Sequence, residues 1–152
     1  MLTLDRIAIT AAPDRVFAVA RDVEGWPAIL AHYRSVRVLE SRPGGALVEM
    51  AAWRPFGPFR WPTWWVSEMT VDPGAREIRY RHVRGITTGM DVVWRLSPVP
   101  GGVTVDLEHR WGGPPWPLIG PPAAAAVIGP VFVHGIASRT LAGIKRHVEA
   151  AV

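Results

Sequence analysis

A chain of 152 residues with a formal charge of +4 has room for one domain with a substantial core, and little length for a second. It contains no cysteine, which excludes disulfides, thiolate catalysis and zinc sites built on that residue. Lys145 is the only lysine, and the arginines are dispersed beside acidic residues (Asp5-Arg6, Asp14-Arg15, Arg21-Asp22, Arg76-Glu77), a pattern that argues against a DNA-binding face.

The N-terminal Met-Leu-Thr-Leu-Asp-Arg lacks a basic region followed by an apolar run, so a cytoplasmic protein is expected. Alternation over residues 2–10 predicts a first strand. Ala12-Pro13-Asp14 starts a helix, with proline presetting φ and Asp14 beside the positive helix end, and Val16, Phe17, Val19 and Ala20 on one face. A second short helix is predicted over Trp26-Pro27-Ala28-Ile29-Leu30. Six strands then follow at residues 35–40, 47–53, 61–71, 77–83, 90–97 and 103–111. They are separated by turns such as Arg42-Pro43-Gly44-Gly45 and Asp72-Pro73-Gly74, and Arg54-Pro55-Phe56-Gly57-Pro58 reads as a break. This predicts an antiparallel meander. After a linker rich in proline and glycine, a helix runs from about Ala123, kinked at Gly129-Pro130, with its firm part from Val131. No residue between Arg110 and Arg139 carries a formal charge, and Trp116, Leu118 and Ile119 read as an apolar lid able to touch a membrane transiently.

Strand alternation assigns side chains to faces. One face carries Trp65, Ser67, Met69 and Val71, then Ile78, Tyr80 and His82, then Met90, Val92, Trp94 and Leu96, then Val103, Val105, Leu107, His109 and Trp111. Its apolar and aromatic character, with isolated polar atoms at Ser67, Tyr80, His82 and His109, describes either a small-molecule site or a core with hydrogen-bonded polar tips. Bulky rings with polar tips are hard to close-pack, which favours the pocket. Trp26, Trp65, Met69, Tyr80, Met90, Trp94, Leu107 and Trp111 are the candidate ligand-binding residues. The histidines sit on separate strands without spaced carboxylates, so no metal and no cofactor are expected. Imidazole titrates near neutrality, which makes His82 and His109 candidate acid–base groups.

The order strand, two short helices, meander and long C-terminal helix resembles the α+β helix-grip, START-like (Bet v 1-like) fold. More closely, the chain resembles the polyketide cyclase/dehydrase family, including tetracenomycin-type aromatase/cyclases and coenzyme Q-binding proteins. The resemblance rests on Ala12-Pro13-Asp14-Arg15-Val16-Phe17, Asp22-Val23-Glu24-Gly25-Trp26-Pro27 leading to Tyr33, Trp65-Val66-Ser67-Glu68, Val71-Asp72-Pro73, Met90-Asp91-Val92-Val93-Trp94 and Ser138-Arg139-Thr140. It implies one domain over residues 1–152, a curved sheet of about seven strands gripping the last helix, and an internal cavity. In the aromatase/cyclases it implies dehydration and ring closure of a poly-β-ketone, with a cavity arginine two residues after the serine. Here Tyr33, Trp65 and Ser67 match, but that arginine position holds Met69, which has no donor to polarise a carbonyl. A second arginine position holds His82, a polar strand-end position His109, and an asparagine position Ala137.

The leading expectation is a carrier for a hydrophobic, partly aromatic molecule (a polyketide, quinone or lipid), as monomer or homodimer. An aromatase/cyclase or dehydratase is the alternative, with His82 or His109 as acid–base group and Ser67 and Tyr33 as donors. A ribosome- or protein-interaction module is the third.

Overall fold

The computed structural model describes residues 1–56, 58–112 and 133–150. Strand β1 (Leu2–Ile9) leads into α1 (Pro13–Arg21), a single 3-10 turn (Val23–Gly25) and α2 (Trp26–Ile29). The meander follows as β2 (Tyr33–Arg42), β3 (Gly45–Phe56), β4 (Phe59–Asp72), β5 (Glu77–Gly85), β6 (Asp91–Val99) and β7 (Gly102–Arg110), and α3 (His134–Ala150) closes the described chain. One antiparallel sheet holds all seven strands in the order β1-β7-β6-β5-β4-β3-β2. The connection from β1 through α1 and α2 to β2 spans the sheet, leaving β1 and β2 as its two edges.

The expected break at Pro55 is not one. β3 and β4 continue as a hairpin in which Pro55 pairs with Arg60. The Trp53 N–H donates to the His32 carbonyl on the β2 side at 2.7 Å. Two residues on, Pro55 turns its nitrogen to the same side, where β2 has already begun at Tyr33 opposite Ala52 and supplies no acceptor. A missing donor costs nothing there. The expected kink at Gly129-Pro130 and the lid of Trp116, Leu118 and Ile119 lie outside the described residues. No helix among the described residues is long and apolar enough to cross a membrane.

Helix α3 packs against β1, β3, α1 and α2, burying Ile136, Ala137, Thr140, Leu141, Gly143, Ile144 and Val148. Gly143 lets it approach α2: a Cβ there would stand 2.3 Å from Leu30 Cδ2. At the far end Lys145 Nζ donates to the Ala8 carbonyl at 2.7 Å, and Glu149 accepts from the Thr10 N–H at 2.9 Å. The helix is thereby tied to edge strand β1.

Alternation holds along the sheet. Trp65, Ser67 and Met69, then Ile78, Tyr80 and His82, then Val92, Trp94 and Leu96, then Val103, Val105 and Leu107 are all buried. The opposite face carries ion pairs, including Arg6–Asp106, Arg37–Glu49, Arg81–Asp91 and Arg95–Glu108.

Candidate functional site

Between the sheet and α3, aromatic rings form an unbroken chain. Trp94 meets Trp26 at 5.7 Å between centroids, Trp26 meets Tyr33 edge-on at 5.2 Å, Tyr33 meets Trp65 at 6.2 Å, and Trp65 stacks on His82 at 5.6 Å with planes 3° apart. Such contacts contribute about 0.5–1.5 kcal/mol each beyond simple area burial. Local backbone aligns the last pair. β4 and β5 slip register between Val66 and Ser67, leaving Val83 as an extra residue, and Gly85 closes the bulge at φ +98° opposite Trp65. Trp26 is held by its indole N–H, which donates to the Val19 carbonyl at 3.2 Å.

These rings wall a cavity of about 60 Å³. Of the expected residues, Trp26, Tyr33, Trp65, Tyr80, His82, Met90, Trp94, Leu107 and His109 line it. Ser67, Met69 and Trp111 do not. Ser67 is fully buried, opposite His82 in the β4–β5 register. Met69 faces inward but farther along the curved strand, bordering a groove beside Asp22 and Val23. Trp111 points its indole N–H at the Thr88 carbonyl, 3.1 Å away, and pins the β5–β6 turn instead. Sequence reasoning missed Thr87, Thr140, Met50, Val133 and Ile136 as wall residues. Ile136, Ala137 and Thr140 share one helical stripe that periodicity could have revealed. Thr87, in a turn, offered no such signal. The interior is also fuller than expected, since 60 Å³ holds a few water molecules and no aromatic ring.

The polar groups divide into satisfied and unsatisfied. His82 Nδ1 shares a 2.7 Å hydrogen bond with the Thr87 hydroxyl. The Thr140 hydroxyl donates to the Ile136 carbonyl at 2.8 Å, so at the 2.9 Å contact with His32 it is His32 Nε2 that donates. Ser67 Oγ, Tyr80 Oη and His109 Nδ1 are buried and have no partner among the described residues. Burial, reinforced by His109, holds the His82 imidazole down at about 3, and burial holds His109 at about 4. Burial also pushes the Tyr33 and Tyr80 phenols upward. Near neutral pH the cavity therefore presents uncharged donors and acceptors, well suited to hold a carbonyl or hydroxyl and poorly suited to take up a proton.

A family model for polyketide cyclase / dehydrase and lipid transport matches residues 9–129. A Streptomyces halstedii protein provisionally named a polyketide cyclase is 32% identical over 111 residues, covering 72% of this chain and 95% of that protein. Among solved structures, the Zhui aromatase/cyclase from a Streptomyces species superposes with a TM-score of 0.77 at 22% identity, over 99% of this chain and 97% of its own. A START superfamily protein from Mycobacterium smegmatis superposes with a TM-score of 0.73 at 14% identity, over 99% of both chains.

Proposed function

Because the chain belongs to the polyketide cyclase/dehydrase and lipid transport family and has the START-like fold, we propose that it binds a hydrophobic, partly aromatic molecule of the polyketide kind between its sheet and α3. One observation carries this reading. Two buried polar atoms of an otherwise apolar wall, Tyr80 Oη and His109 Nδ1, have no partner among the described residues. Each such group costs about 1–3 kcal/mol when left unsatisfied. A molecule with ring hydroxyls or carbonyls satisfies both while its flat body lies against Trp26, Trp65 and Trp94. Entry requires the wall to part, and Met50 and Met90, unbranched and adaptable, are the side chains that yield most readily.

The test is a melting-temperature and native mass spectrometry screen with polyphenols, quinones and fatty acids. An aromatic oxygenated compound is expected to bind one-to-one and raise the melting temperature. Tyr80→Phe combined with His109→Phe is expected to remove most of that shift while leaving the unliganded fold intact. If no compound class shifts the transition or survives as a complex, the reading fails.

Turnover is a second reading, favoured by the provisional polyketide cyclase at 32% identity. Neutral Tyr80 and His82 would then polarise substrate carbonyls by hydrogen bonding. With His82 held at about 3, its imidazole is a weak base near neutrality, and Met69 supplies no charge in place of the arginine. Binding is therefore the reading the geometry supports better.

A further inference from the structure

Across the His32–Thr140 hydrogen bond from the cavity lies a surface groove of about 680 Å³, within the size range of small-molecule sites. His32, Trp53, Arg60, Ser138, Arg139 and Arg146 contribute to its walls. Arg139 and Arg146 are seven residues apart on α3, two turns along one face. Arg60, and Arg34 from outside the groove's walls, each place a guanidinium carbon 4.7 Å from the Trp53 ring centroid, an arrangement that orients both flexible chains.

Among the described residues Arg15, Arg21 and Arg84 also stand without an ion pair, but what marks this groove is that three unpaired arginines, Arg60, Arg139 and Arg146, line one concavity. On the sheet's outer face Arg6 meets Asp106, Arg37 meets Glu49 and Arg81 meets Asp91. Among the described residues, which include all 13 acidic side chains, none forms an ion pair with Arg34, Arg60, Arg139 or Arg146. His32 registers the field: its imidazole is held at about 4, first by burial and then by the charges of Arg139 and Arg146. Like charges gathered around one concavity repel, and an anion placed among them relieves that repulsion.

We propose that this groove binds small phosphate esters or diphosphates. Guanidinium forks match the oxygens of both carboxylate and phosphate. The number of donors decides between them. The three lining arginines present about 15 N–H groups, whereas a lone carboxylate offers about four acceptor positions. A multi-oxygen dianion uses more of that capacity and neutralises more of the charge. The site is independent of the interior cavity, so a phosphate probe with no apolar tail tests it alone.

The experiment is calorimetric titration of the full chain with inorganic pyrophosphate, phenyl phosphate and benzoate at low ionic strength. Saturable one-to-one binding of pyrophosphate and phenyl phosphate, tighter than benzoate, is expected. Arg139→Gln with Arg146→Gln is expected to weaken it by about tenfold or more. Arg6→Gln with Arg110→Gln, which removes the same charge from elsewhere, is expected to leave it unchanged. The His32 imidazole pKa, followed by NMR, should rise when pyrophosphate binds. The proposal is overturned if neither phosphate binds saturably, if benzoate binds as well, or if the two double variants lose affinity equally. Binding to phosphatidylglycerol vesicles without binding of the soluble phosphates would overturn it too, since the groove would then serve a lipid surface.

Discussion

Two concavities lie on either side of the His32–Thr140 hydrogen bond, and they are built on opposite principles. The interior one, about 60 Å³, is walled by rings that touch one another in series, so the residues that would hold a ligand are also the residues that hold the fold. The outer one, about 680 Å³, is rimmed by arginines that face solvent and are steadied in part by Trp53. In the first, any change for function is also a change of packing. In the second, charge is carried at the surface and can be altered with the core untouched. The two regions should therefore respond very differently to substitution and to pH.

The largest difference is expected from Trp94→Ala. Trp94 is 3% exposed, and truncating it should lower unfolding free energy by about 3–5 kcal/mol in a denaturant titration. A loss below about 1 kcal/mol would mean that the rings do not form the core, and the contrast would collapse. Acid should act next. His82 and His109 have folded-state values near 3 and 4, below the ordinary 6.5, so below pH 6.5 the unfolded chain takes up protons that the folded chain refuses. Stability is then complete at and above neutrality. It should fall by about 2 kcal/mol per imidazole between pH 7 and 5, and level off below the folded-state values. The His82→Gln, His109→Gln double variant should lack that step; if it keeps it, the burial of these rings is not its source. The smallest effect is expected in the groove. Arg139→Gln with Arg146→Gln should change stability by no more than about 0.5 kcal/mol, and in the favourable direction, because repulsion is relieved. A marked loss would show that these side chains hold α3 in place.

Much of this was legible in the residue pattern, and the misses share a cause. Period-two alternation placed Trp65, Tyr80, His82, Trp94 and Leu107 on the concave face because a strand has only two faces to choose from. Alternation says nothing about depth along a curved sheet. Met69 is on the expected face yet borders a groove near Asp22, and Ser67 is buried beside the cavity without lining it. Trp111 was misplaced because the destination of an indole N–H, here the Thr88 carbonyl, depends on a turn 23 residues away. Pro55 was read as a break because the local rule ignores whether the neighbouring strand is there to need a donor.

By itself, the sequence determined the antiparallel meander, its turns, the buried face and the final helix, since these follow from periodicity and from the backbone limits of glycine and proline. Tertiary structure alone decided how much room the buried face leaves. Interior volume is a small difference between large side-chain volumes and the spacing of the elements that carry them. It also decided the company of the arginines. Arg60, Arg139 and Arg146, scattered over more than eighty positions, come to one groove because α3 crosses beside β3 and α2, and charge acts through distance in space rather than along the chain.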